Sequence, residues 1–322
     1  MIPVNLITGF LGSGKTTLIQ HLLLQAPRNE RWAVLVNEFG KVGIDGPLLS
    51  QPGLHIKQVP GGCLCCISSP LFRVALNSVI RQVKPTRILI EPSGLAHPAA
   101  IRAMLAEPSY QAILRPAATL ALVAPSSLQD VRIRQHPLLA AQLNAADLLI
   151  ASQTDRAQPD DWALLDELLS GLAPPRWIDV TIRDGQLDKA WLDHPVSAPC
   201  PVQTNLPQPS LLAGTASRAV SFGMHCQRQP EGLAIGWRWP AERQFSAAKL
   251  LAWVNVQFEQ GCLRAKGIVQ TEHGWQAINQ MPQSSLVTPA QWRHDNRLEL
   301  IFPSQAQVDP TLLDQALGDL MV

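Results

Sequence analysis

Apolar residues fall in short runs along the first half of the chain, and the runs alternate with stretches of helical periodicity. Residues 4–8 read as a first strand, and 15–24 as the helix that follows a glycine loop. Residues 33–36 and 87–90 read as two further buried strands, 119–123 and 148–151 as two more, and 178–181 as the last of this half. Short buried β-rich runs separated by helical stretches predict an α/β domain with a largely parallel sheet. The pattern then breaks. Between residues 193 and 217 stand Pro195, Pro199, Pro201, Pro207 and Pro209 with few long apolar runs, the composition of a linker. After it, 219–227 and 232–239 read as strands, 247–258 as a helix, 264–271 and 274–279 as a strand pair, and 298–302 as another strand. The expected organisation is an α/β domain over 1–192, a Pro-rich linker over 193–217 and a smaller α+β domain over 218–322.

Composition narrows the partners. Of 322 residues, 46% are hydrophobic, enough for two cores, and 26 Lys and Arg stand against 25 Asp and Glu. No basic field invites nucleic acid. The first residues are apolar but lack a basic start and a cleavage signature, and no run approaches the roughly 18 apolar residues that cross a bilayer. A cytoplasmic protein that binds neither nucleic acid nor membrane is expected.

Gly9-Phe-Leu-Gly-Ser-Gly-Lys-Thr16 fits the P-loop pattern and lies between a predicted strand and a predicted helix. Gly9, Gly12 and Gly14 let the backbone wrap closely, so that N–H groups, those of Ser13 and Thr17 among them, face phosphates at a helix N-terminus. Lys15 is expected to neutralise the β and γ phosphates, and the Thr16 hydroxyl to ligate Mg²⁺. The first domain is thus expected to be a P-loop NTPase. Kinases, transport ATPases and GTPases all carry this loop, so the motif alone names no reaction.

Two carboxylates follow a buried strand, Glu38 in Asn37-Glu-Phe-Gly40 and then Asp45. Loops on this side of a doubly wound sheet converge on the nucleotide. Glu38 and Asp45 are therefore candidates to hold the Mg²⁺ shell, position the attacking water or ligate a second metal; solvated loop acids are the plain alternative. Residues 88–91, Ile-Leu-Ile-Glu, form a buried strand ending in the carboxylate of Glu91, a Walker B-like arrangement, with the Gly94 N–H placed to meet a γ-phosphate.

The second strong signal is Pro60-Gly-Gly-Cys-Leu-Cys-Cys66. Cys63, Cys65 and Cys66 lie too close together to read as a disulfide scaffold, and thiolates suit Zn²⁺ or Cu(I). A reactive redox pair and buried structural cysteines are the alternatives. Three local thiols leave a tetrahedral site one ligand short, with Glu38, another side chain or water to complete it. Such a site is able to release metal as well as bind it. Cys200, Cys226 and Cys262 have no ligand-like spacing, and no two of the eight histidines lie within four residues. Five of the nine tryptophans (Trp237, Trp239, Trp253, Trp275 and Trp292) fall in the second domain and read as core anchors.

Together these residues resemble the CobW-type GTPases, a P-loop family of metallochaperones and metal-centre maturation factors, and most of all its zinc-binding bacterial branch. The resemblance rests on 9–16, on 37–40 with Gly43-Ile-Asp45, on Gly61-Gly-Cys-Leu-Cys-Cys66, and on Glu91-Pro-Ser-Gly-Leu-Ala-His-Pro98. Residues 236–239 and 264–267 look like the family's C-terminal domain. The resemblance implies GTP hydrolysis with Mg²⁺, coupled to binding of zinc and its transfer to a client metalloprotein. No obvious arginine finger stands in the sequence, so slow intrinsic turnover is expected, to be raised by a client or by a homo-oligomer. Lys15, Thr16, Glu38, Asp45 and Glu91 would serve catalysis, and Glu38, Cys65 and Cys66, with Cys63 also in the motif, would hold zinc. Rival readings are a zinc sensor or buffer, a maturation factor for cobalt or iron, and a small-molecule kinase. One departure stands out: where relatives read guanine with Asn-Lys-x-Asp, this chain has Ser152-Gln-Thr-Asp155. Asp155 retains the acceptors for guanine, Gln153 is expected to cover the base in part, and looser selectivity is expected.

Overall fold

The computed structural model describes residues 1–37, 55–59, 70–94, 96–196, 222–229, 232–282, 284–290 and 294–321. These fall in two compact units, one on each side of the Pro-rich segment.

In the first unit, β1 (Ile2–Gly9) runs through the glycine loop into α1 (Lys15–Leu24). Then come β2 (Trp32–Asn37), β3 (His55–Val59), α2 (Pro70–Val83), β4 (Arg87–Glu91) and α3 (Pro98–Leu105). The unit continues with β5 (Leu114–Val123), α4 (Pro137–Asn144), β6 (Leu148–Ala151), α5 (Pro159–Ser170) and β7 (Val180–Thr181), with single helical turns at Pro108–Gln111 and Val131–Arg134. The seven strands form one sheet in the order β3-β2-β4-β1-β5-β6-β7, with every pair parallel. Every residue of β4 and β6 is buried, as expected where helices cover both faces of a parallel sheet. Leu18, Ile19 and Leu22 of α1 join Ile7, Val34, Leu89, Leu120 and Leu148 in one core.

The expected strands are present, most of them a residue or more longer than the pattern indicates, although β7 spans only two residues. β3 is a strand that the apolar pattern did not single out, and α1 is the one helix of this unit for which the pattern gave bounds. The linker expected over 193–217 lies outside the described residues from 197 onward.

The second unit is α+β. Six antiparallel strands, β8 (Gly223–Gln229), β9 (Gly232–Pro240), β10 (Arg264–Thr271), β11 (Gly274–Met281), β12 (Ser284–Pro289) and β13 (Asp295–Phe302), lie in the order β12-β11-β10-β13-β9-β8. One core gathers Leu233, Ile235 and Trp237 of β9 with Leu298, Leu300 and Phe302 of β13. It also takes in Leu250 and Val254 of α6 (Ala247–Glu259) and Leu313 and Leu317 of α7 (Pro310–Gly318). Trp237, Trp239 and Trp275 are buried, while Trp292 is outside the described residues.

Candidate nucleotide and metal site

The phosphate loop is shaped by three glycines with positive φ: Gly9 at 141°, Gly12 at 71° and Gly14 at 88°. At Gly9 a Cβ would stand 2.4 Å from the Leu122 carbonyl oxygen and 2.6 Å from Ser13 Oγ, so a side chain there has no room. Gly14 caps α1 and, lacking a side chain, ties up none of the N–H groups of the first turn. Those groups remain available to an anion. Lys15 is 5% exposed and its ammonium donates to the carbonyls of Gly9 at 2.7 Å and Phe10 at 3.0 Å. A buried cation curled over a glycine loop at a helix N-terminus is a charge arrangement that favours a phosphate chain. Thr17 is exposed on the first turn of α1.

The Thr16 hydroxyl donates to Glu91 Oε1 at 2.8 Å, which unites the end of β4 with the start of α1. A hydroxyl beside a buried carboxylate is a donor set suited to Mg²⁺, which takes oxygen ligands and keeps several waters. Ser13 Oγ and Thr8 Oγ1 are buried with no hydrogen-bond partner among the described residues, so the loop holds polar capacity that the protein itself does not satisfy. These features fit a Mg²⁺-nucleotide. Gly94 sits close on the loop: a Cβ there would meet both the backbone N and Cδ2 of Leu11 at 2.8 Å.

Two supports, Gln142 and Gly185, were not singled out from the sequence, while Gln153, expected to cover the base in part, has its amide on the loop. Buried Gln142 of α4 donates to the carbonyls of Gly94 at 3.0 Å and Ala96 at 3.1 Å. A polar residue between apolar neighbours in Pro-Leu-Leu-Ala-Ala-Gln-Leu-Asn was the available signal. Ser152 Oγ donates to the Ser13 carbonyl, and Gln153 Nε2 to the Gly12 carbonyl, each at 2.7 Å. Gly185, with φ of 73°, presses on the first turn of α1, where a Cβ would lie 2.9 Å from Leu18 N. Asp155 follows on the exposed surface, 3.8 Å from the Arg156 guanidinium.

Glu38, Asp45, Cys63, Cys65 and Cys66 lie outside the described residues. The strands that lead to them are described. β2 and β3 are parallel neighbours with Asn37 opposite Val59, so the two strands end side by side. On the other side of β2, Val36 is opposite Glu91. The described parts of β2, β3 and β4 therefore end at neighbouring positions, β4 at Glu91. Among the described residues, no three His, Cys, Asp or Glu side chains cluster to hold a metal. His97 stands at the N-cap of α3, and Cys262 is buried while Cys226 is exposed. No described helix is long and apolar enough to cross a membrane.

Residues 3–176 match the family model of the CobW/HypB/UreG nucleotide-binding domain, and 234–321 match that of the cobalamin synthesis protein cobW C-terminal domain. The zinc chaperone YeiR of Escherichia coli K12 is 36% identical over 325 residues, covering 95% of this chain and 94% of its own length. The zinc chaperone CobW of Pseudomonas aeruginosa is 33% identical over 204 residues, 54% of each chain. The zinc chaperone YjiA of Escherichia coli K12 is 32% identical over 164 residues, 48% of this chain and 50% of its own. The chain belongs to the CobW/HypB/UreG family, with the nucleotide-binding domain followed by the family's C-terminal domain.

Proposed function

We propose that this protein is a zinc-handling GTPase that couples the state of its nucleotide to a thiolate metal site and passes zinc to a client metalloprotein. Gly9, Gly12, Ser13, Gly14, Thr17 and Gly94 supply backbone donors for the phosphates, Thr16 and Glu91 hold Mg²⁺, and Asp155 reads guanine. The bound Mg²⁺ supplies charge neutralisation between the phosphates. Lys15 carries its ammonium to where negative charge develops, and Glu38 or Asp45 orients the attacking water. The sequence offers no evident arginine finger for that charge, so turnover is slow until a client or a second copy accelerates it.

One observation supports the coupling most directly. Asn37 pairs with Val59 and Val36 with Glu91, so three adjacent strands end side by side, one at Glu91 and the other two just before Glu38 and the thiol segment in sequence. Cys63, Cys65 and Cys66, with Glu38, make the zinc site in this reading. A change that reorders the chain after β2 acts on both sites. Zinc must then alter nucleotide affinity by the same factor as nucleotide alters zinc affinity, typically by about 1–3 kcal/mol. Unpaired thiols so close together belong in a reducing cytoplasm. The domain limits that go with this reading are 1–192, 193–217 and 218–322.

The test is zinc affinity by chelator competition under reducing conditions, with Mg²⁺-GDP and then with a non-hydrolysable GTP analogue. The expected result is a several-fold difference between the two states and collapse of binding in a Cys65→Ser, Cys66→Ser variant. Equal zinc affinity in both states would end the switch reading. Delivery is read separately, as zinc appearing in an apo client faster from the loaded protein than from free zinc buffered to the same activity.

A further inference from the structure

Ser152 and Gln153 occupy the two positions where this chain departs from the guanine-reading pattern, and both side chains face the phosphate loop. The two consecutive residues donate to two consecutive loop carbonyls, those of Ser13 and Gly12, at 2.7 Å each. A peptide unit is planar and trans, so a donor that fixes a carbonyl also fixes the N–H on the opposite side of the same unit. Holding the Gly12 carbonyl orients the Ser13 N–H, which donates to the Phe10 carbonyl at 3.3 Å. Holding the Ser13 carbonyl orients the N–H of Gly14, the residue that caps α1. Gln153 adopts φ of 54°, the left-handed region that a residue with a side chain takes only at a cost. Ser152 is buried, and its backbone N–H donates to the Val123 carbonyl, anchoring the pair to the end of β5.

We infer that Ser152 and Gln153 are positioning residues for the phosphate loop, an uncharged clamp that sets affinity for the nucleotide's phosphates whatever the base, leaving Asp155 to select the base alone. The inference rests on the nucleotide-binding reading above and adds a division of labour to it. The donors of both side chains are engaged on the loop, whereas Asp155 is exposed with acceptor oxygens to offer.

The test measures binding of fluorescent GDP and ADP analogues to the full chain, in the wild type and in Gln153→Gly, Gln153→Lys and Asp155→Ala. Gln153→Gly removes the amide and at the same time relieves the left-handed backbone. The melting temperature of the nucleotide-free protein is therefore expected to hold or rise. Affinity for both nucleotides should fall together, by roughly five- to tenfold, the worth of one hydrogen bond. The GDP-to-ADP ratio stays constant. Gln153→Lys, which keeps a donor within reach of the Gly12 carbonyl, recovers affinity for both. Asp155→Ala brings the ratio toward one with a smaller effect on ADP. The clamp is overturned if Gln153→Gly changes the ratio, leaves both affinities untouched, or weakens them only in step with a lower melting temperature. A wild type that binds neither analogue would overturn the nucleotide-binding reading itself, an outcome distinct from any of these.

Discussion

At the residue scale, the site depends on positions where no atom can be added. Gly94→Ala places a methyl 2.8 Å from the backbone nitrogen of Leu11, and backbone, unlike a flexible side chain, does not yield cheaply. The expected cost is about 1–3 kcal/mol of stability or an equivalent loss of nucleotide affinity, checked by paired denaturation and titration. Thr16→Ala removes the hydroxyl that donates to Glu91. Its expected signature is loss of Mg²⁺-dependent GTP hydrolysis with substantial Mg²⁺-independent GDP binding retained; hydrolysis at the wild-type rate would remove Thr16 from the metal shell. The loop from Gly9 to Thr16 was legible because its physics demands particular residue types at fixed spacing. Gln142 was less so, because a buried amide is informative only once the carbonyls it serves are known to be near. The braces at Ser152 and Gln153 join residues more than a hundred positions apart in sequence, a pairing that local pattern does not encode.

Among elements, length and burial decided what could be read. Strands buried on both faces, such as β4 and β6, announce themselves as uninterrupted apolar runs. β3 lies at the sheet edge and reads His-Ile-Lys-Gln-Val, with only two apolar residues, so its pairing with β2 supplies what its composition does not. A polar tie on the central strands of the sheet was equally hidden. Buried Asn5 of β1 accepts from Arg87 Nη1 at 2.6 Å and donates to the carbonyls of Ala118 and Leu192. Arg87 in turn holds both Asp193 oxygens, at 2.8 and 3.0 Å, and lies 5.4 Å from the centre of the Trp32 ring. Asn5→Leu keeps the bulk but strips several buried polar groups of partners. It should destabilise the first unit by about 2–4 kcal/mol in urea unfolding. A change within about 0.5 kcal/mol would show that water replaces the lost bonds.

The whole molecule is nearly neutral, so individual buried charges, not net charge, set its response to pH. Glu299 of β13 lies opposite Lys266 of β10, both largely buried. Burial pushes the Glu299 carboxyl up to about 8, against the opposing pull of Lys266 and Arg264. The folded protein therefore keeps a proton between about 4.5 and 8 that the unfolded chain has released. The stability this contributes is complete below the unfolded value and is lost as pH rises through the folded one. Glu299→Gln should flatten the decline of melting temperature across that window, and an unchanged slope would assign the decline to other groups.

The sheet order also has a consequence in time. β1 is made first, yet its partners are β4, with Val4 opposite Ile88, and β5, with Gly9 opposite Leu122. Pairing across such separations is slow, and on the ribosome it waits for the partner strands to be synthesised. The strand that ends in the phosphate loop thus gains its second neighbour only when residues 114–123 have emerged, and the loop meets Ser152 and Gln153 later still. A nascent chain that has emerged from the ribosome only as far as residue 145 would have β1 flanked on both sides and its loop without Ser152 and Gln153. If these two clamp the loop, nucleotide captured during synthesis should be held firmly only after β6 has joined the sheet.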